Sequence, residues 1–188
     1  LVALLADDAP IRRNIRDGVL RWNLLRSRGW QSSHAQWAQP APGETATIAL
    51  ASMSSRAAPA LAESLDHGDP VVRRNAAWGL GELRHPRDIP EPGLDALTAT
   101  LDDPDPSVRA AAAWALGDIR VRRAIPRLIE ILAQDPEERV RALAAEALGE
   151  IRAAAAEETL AEAARDDANP SVRRAARYGL KEVIEHGH

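Results

Sequence analysis

The stretch DPSVRAAAAWALGDIR, Asp105 to Arg120, reads as a helix with its own start signal, an alanine-rich middle and a glycine, Gly117, near its end. Asp105 carries a side-chain oxygen suited to accept a hydrogen bond from the free amides of a first helical turn. Pro106 follows at the first helical position, where its missing N–H has no intrahelical partner to lose. The alanines favour helix more than any other residue does. Something very like this stretch recurs along the chain, and the recurrence decides the fold. Trp114, at its midpoint, bears on function.

Taking Val108 as an anchor, Val140 heads VRALAAEALGEI 32 residues later, and Val172 heads VRRAARYGLKEV after a further 32. Upstream, Val72 heads VRRNAAWGLGEL, 36 residues before Val108. Two weaker copies fit the same register. Ile11 heads IRRNIRDGVLRW, and Pro42 heads PGETATIALASM, a degenerate copy in which Gly43 stands where the others carry Arg. Three residues before the anchors stand Asp8, Gln39, Asp69, Asp105, Glu137 and Asn169, and proline follows at Pro40, Pro70, Pro106 and Pro170. These Asp-Pro and Asn-Pro pairs start helices and do not break them.

At about 100° per residue, the anchor and the fourth, seventh, eighth and eleventh residues after it fall on one stripe roughly 100° wide. That pattern predicts a helix buried on one side. The stripe holds Val, Ala, Ala or Gly, Leu, and then Ile, Leu or Val, and its small residues let a neighbouring helix come close. A shorter apolar segment precedes each such helix: RAAPALAESLD, EPGLDALTATLDD, AIPRLIEILAQD and EETLAEAARDD. Each unit is therefore a helix pair, and a lone pair cannot bury its apolar stripe. The expected fold is all-α: a solenoid of about six stacked antiparallel pairs over residues 1–188, degenerate in 1–56 and clear in 57–188.

The combination of Asp-Pro, Val-Arg, Ala-Ala, Ala-Leu-Gly, Ile and a following Ile-Pro-x-Leu, as in DPSVRAAAAWALGDIR…AIPRLIEIL, resembles the HEAT repeat family, in the short, Ala-rich variety first associated with phycobilisome lyases. The resemblance is strong over residues 57–183 and weak before them. It implies second helices that line a concave face, and an Asp–Arg ladder that links successive repeats. The chain departs from the pattern at Pro42 and Gly43, in the extra residues around RHPRDIPEPG, and at Lys181, where other copies carry Gly.

Composition narrows the function. With no cysteine, the chain has no disulfide, no Cys-type zinc site, no iron–sulfur ligand and no thiol nucleophile. A net charge of −4, with Arg dispersed among Asp and Glu, argues against a dedicated nucleic-acid surface. No apolar run approaches the roughly 20 residues of a membrane-spanning helix. LVALLADDAP turns acidic too soon for a secretory signal, so a cytoplasmic location is expected. The same stretch reads as the second half of a helix, which suggests a segment of a longer polypeptide.

Two sets of residues carry the functional reading. The Arg after the anchor (Arg12, Arg73, Arg109, Arg141 and Arg173) borders the buried stripe and needs a partner there. It forms either a structural ladder to turn carboxylates or carbonyls, which we favour, or a basic ladder for phosphate or acidic peptide. The sixth residue after the anchor lies far from the stripe and holds Asp17, Ile48, Trp78, Trp114, Glu146 and Tyr178. Residues four away touch it on a helix, giving the rows Arg74–Trp78–Glu82, Ala110–Trp114–Asp118, Ala142–Glu146–Glu150 and Arg174–Tyr178–Glu182. Such a charge-edged aromatic stripe suits a binding interface; equally, the tryptophans cover a flank of the adjacent helix. The candidate partner-binding set is Arg74, Trp78, Glu82, Trp114, Asp118, Glu146, Arg174 and Tyr178.

Other residues give less. Trp22, Trp30 and Trp37 read as core replacements in the weak copies, and His34, His67, His85, His186 and His188 sit in no ligand spacing. No phosphate loop, nucleophile elbow or HExxH occurs, and RHPRDIPEPG reads as a stiff connector. The leading expectation is a non-catalytic scaffold that binds a partner protein or another domain of its own chain, without cofactor or metal. The resemblance raises a bilin or tetrapyrrole lyase-like or chaperone subunit as one alternative and a nucleic-acid-binding module as another.

Overall fold

In a computed structural model, the described residues are 57–83 and 86–186. The copies anchored on Ile11 and Pro42 lie outside them, and so do Arg12 and the tryptophans at 22, 30 and 37. Four helix pairs are described. Their first helices are α1 (Ala58–Ser64), α3 (Glu91–Ala99), α5 (Ile125–Gln134) and α7 (Glu157–Asp166). Their second helices are α2 (Pro70–Gly81), α4 (Pro106–Asp118), α6 (Glu138–Ile151) and α8 (Pro170–His186). Single turns of 3₁₀ helix fill several connections, and the described residues contain no strand.

The second helices begin as the local chemistry dictates. Asp69 accepts a hydrogen bond from the Val71 amide, Asp105 from Ser107, and Asn169 from Ser171, each at 2.8 Å. Glu137 makes no such cap bond. Its turn is held by Asp135, which accepts from the Glu137 amide at 3.0 Å, and Asp103 and Asp167 hold the corresponding turns before α4 and α8. Before α2 the same bond ends on His67 Nδ1, which accepts from the Asp69 amide at 3.0 Å. At the other end, α4 and α6 stop on left-handed Arg120 and Arg152, with φ of 56° and 57°. The Val121 amide returns to the Leu116 carbonyl and the Ala153 amide to that of Leu148, closing the exposed helix ends. A cation at a helix C-terminus is also favoured by the helix dipole.

Second helix stacks on second helix, from α2 through α4 and α6 to α8, and each also packs on its own first helix. This corrects the expectation of burial on one side only. In α4, Val108, Ala110, Ala112, Ala113, Ala115, Leu116 and Gly117 are all buried, and at 100° per residue they cover an arc of about 220°, more than twice the expected stripe. An inner second helix has three helical neighbours, and small side chains are what fits between them. Among the described second helices, α8 alone buries a single stripe: Val172, Ala175, Ala176, Gly179 and Val183. The connector before α3 also does more than link. Ile89 is buried, and Pro92 and Gly93 form part of α3.

Glycine sets the spacing of the stack. A Cβ on Gly117 would lie 2.6 Å from the Ala147 Cα, and one on Gly149 would lie 2.6 Å from the Gly179 Cα. Glycine to alanine in an open helix stabilises by roughly 0.5–1 kcal/mol. At Gly117 the added methyl meets backbone, which cannot swing aside. Gly117→Ala should therefore lower stability by about 1–3 kcal/mol, read as a lower urea midpoint at unchanged helix content. A raised midpoint would mean that the seam opens freely.

Candidate binding face of the second helices

The Arg after each anchor ties one unit to the next. Arg109 donates from Nε and Nη2 to both carboxylate oxygens of Asp135, at 2.8 and 3.0 Å, and from Nη1 to the carbonyls of Asp103 and Pro104 in its own turn. Arg141 repeats this arrangement with Asp167 and the carbonyls of Asp135 and Pro136. Arg73 does so with Asp103 and the carbonyls of His67 and Gly68. Arg173 keeps the carbonyl half, donating to Asp167 and Ala168.

Two features make these rungs stronger than ordinary surface pairs. They are bidentate, and the side chains of Arg109 and Asp135 are only 13% and 6% exposed. Arg123 also bridges repeats, pairing with Glu91 and Asp95 of α3, but the Arg123 and Glu91 side chains are 40% and 75% exposed. Water screens such a pair to little net effect. Arg141, through its hydrogen bonds, holds the Asp167 carboxyl below the usual aspartate range, helped by the Asn169 amide and opposed by burial.

The sixth position after the anchor recurs on successive stacked second helices as Trp78, Trp114, Glu146 and Tyr178. Trp78 and Trp114 meet edge to face, with ring centroids 6.0 Å apart, a geometry that aromatic quadrupoles favour. Both rings are half-buried. Trp114 also covers the seam: a Cβ on Gly81 would come within 2.6 Å of its Cζ3. Farther along, Tyr178 is 40% exposed and donates its hydroxyl to Glu150 at 2.7 Å. Burial pushes the Tyr178 phenol well above its ordinary pKa, and the negative charges of Glu150, Glu182 and Glu146 push the same way. The phenol therefore stays protonated on a locally acidic surface.

Of the rows expected from the helical wheel, Arg74–Trp78–Glu82 and Arg174–Tyr178–Glu182 end in partly or fully exposed charge. In the middle two, Ala110 and Ala142 are buried, so those rows begin at Trp114 and Glu146. Sequence reasoning did not find the role of His67 in its turn, nor Arg120 and Arg152 as left-handed helix stops. A recurring Arg twelve residues past the anchor (Arg84, Arg120, Arg152) is the signal that could have found the stops. Among the described residues, no group of three His, Cys, Asp or Glu is placed to hold a metal ion, and no helix is long and apolar enough to cross a membrane.

A family model described as HEAT repeats matches residues 39–91 and 94–181. The first span takes in the degenerate copy anchored on Pro42. Among solved structures, the chain is similar to the complex of CpcE and CpcF of phycocyanin lyase from Nostoc sp. PCC7120, at 24% identity and a TM-score of 0.63, over 86% of this chain and 98% of that one. It is also similar to an engineered protein, at 20% identity and a TM-score of 0.58, over 98% of this chain and 87% of that one. No curated protein sequence matches. At these identities the likeness shows the fold.

Two outcomes follow from the rungs. Arg109→Ala strands Asp135 in a mostly buried site and should cost about 2–4 kcal/mol. In a double-mutant cycle with Asp135→Ala, the two losses should be far from additive. The Asp167 rung should also shape the acid limb of the stability curve. Its contribution is complete above the ordinary aspartate pKa of about 4 and fades as pH falls through the lower value held in the fold. Urea midpoints measured from neutral to strongly acid pH should therefore fall more steeply for the native chain than for Asp167→Asn. Parallel curves would mean that the rung does not shift the carboxyl.

Proposed function

The chain belongs to the HEAT-repeat family, and on that basis we propose that it is a non-catalytic scaffold. It holds a partner protein, or another domain of its own polypeptide, against the face of its second helices. A stacked array offers a long, rigid surface without needing a deep pocket, which suits recognition. The observation that carries the reading is the Trp78–Trp114 pair, half-buried, locked edge to face and continued by Tyr178 at the same position of α8. Rigid aromatics supply contact area at small entropic cost, and tryptophan is the residue most enriched among those that dominate binding energy. Glu82, Asp118, Glu146 and Glu150 flank the row and supply the polar rim of an interface.

Affinity capture with the chain as bait, followed by titration of the captured partner, tests this reading. Trp78→Ala should weaken binding at least tenfold, on the order of 1.4 kcal/mol or more. Trp114 also packs on Gly81, so a loss at Trp114→Ala counts only if its unfolding midpoint is retained. Glu146→Lys, at a position that does not plug the seam, gives a second reading of the same face. Undiminished affinity in folded Trp78→Ala and Glu146→Lys variants would overturn the proposal.

A further inference from the structure

Three residues of each second helix form the seam that the next second helix covers: the first, fifth and ninth after the anchor. In α2, α4 and α6 they read Arg73–Ala77–Gly81, Arg109–Ala113–Gly117 and Arg141–Ala145–Gly149. The alanines are fully buried, and the glycines lie in backbone contact with the following helix. In α8 the same three positions read Arg173–Arg177–Lys181, with Arg177 and Lys181 exposed. The small pair has become a cationic pair. A helix stacked at the distance seen in the other three seams would run into Lys181, so this face does not suit a helix packed in that same geometry.

Polarity alone would serve a terminal cap, and serine or glutamate would supply it as well. All three positions are instead basic, in a chain of net charge −4. They are also weakly neutralised. Lys181 has Glu185 at 4.0 Å, a turn away on its own helix, and among the described residues Arg177 has no ion pair. Arg173 begins the strip. Its Nη1 is held by the Asp167 and Ala168 carbonyls, at 2.7 and 3.0 Å, matching the pose of Arg73, Arg109 and Arg141. In those three the Nε–Nη2 edge grips an aspartate from outside its own unit, whereas at Arg173 that edge has no acceptor among the described residues. The molecule thus shows three times what such an edge binds.

We propose that the outer face of α8 is a docking strip for an acidic protein segment, with Arg173 gripping one carboxylate in bidentate fashion and Arg177 and Lys181 pairing with the next two. Positions four apart on a helix are about 6 Å apart along its axis, and alternate residues of an extended chain are about 6.6 Å apart. The fitting partner therefore carries Asp or Glu at every second residue of an extended stretch. This strip is separate from the aromatic row, so either can fail without the other.

The probe is a fluorescent peptide with alternating Asp and Ser, set against its Asn-for-Asp counterpart, titrated with the whole chain at roughly 0.15 M salt to suppress non-specific attraction. The Asp peptide should bind at least tenfold tighter than the Asn peptide. Arg177→Glu combined with Lys181→Glu should weaken the Asp peptide at least tenfold. Both side chains are exposed, so the unfolding midpoint should hold, and Arg177→Ser with Lys181→Ser gives the milder variant if it does not. Arg173→Lys keeps the charge but loses the fork and should weaken binding severalfold, whereas Trp78→Ala should leave it unchanged. Equal affinity for the two peptides, or for native and charge-reversed chains, would overturn the proposal. So would displacement of the peptide by a single-stranded oligonucleotide that binds more tightly, or a strip that only mediates self-association.

Discussion

One guanidinium holds two repeats at a time. Arg109 reaches back to the carbonyls of its own turn and across to Asp135 of the next, and the same arrangement recurs at Arg73 and Arg141. The seam it spans is built from alanine and glycine. Small side chains give close approach and many dispersion contacts, but few protrusions to fix how far one helix turns against the next. A planar fork with fixed directions supplies that angular constraint. The rung sets orientation, and the seam sets distance.

A rung needs both of its ends. A buried arginine without its carboxylate, or the reverse, leaves an uncompensated charge. The sequence respects this between the copy anchored on Pro42 and the one anchored on Val72. Gly43 stands where an arginine would open a rung, and His67 stands five residues before the next anchor, where Asp103, Asp135 and Asp167 stand in the later copies. Both ends of the same rung are gone together. His67 keeps the other role of that position, holding its turn by accepting from the Asp69 amide. Among the described residues the ladder begins at Arg73, in the first clear copy.

A stack fixed in this way presents its surface with little freedom left to lose on binding, which is the physical basis for reading it as a scaffold. The aromatic row and the basic strip differ in their relation to the fold. Trp114 is partly structural because it lies over Gly81, and its exposed part is rigid for that reason. Arg177 and Lys181 replace residues that stacking elsewhere requires to be small, so packing within the stack does not account for them.

Helix starts, the pairing of helices into units and the family were all legible in the amino-acid string. Those rest on local chemistry and on periodicity: Asp105 and Pro106 act within one turn, and the anchors repeat every 30 to 36 residues. The ladder arginines were legible too, because an Arg at the border of an apolar stripe requires a partner. That Asp103, Asp135 and Asp167 are the partners was not, and neither was the burial of Ala110 and Ala142. The Trp114 ring over Gly81, and the Arg173 edge that meets no carboxylate among the described residues, were equally hidden. Those facts depend on which helix covers which face, and a helical wheel describes one helix alone. Neighbours 26 to 36 residues apart meet only in the assembled stack, and it is the stack that closes some faces and leaves others open.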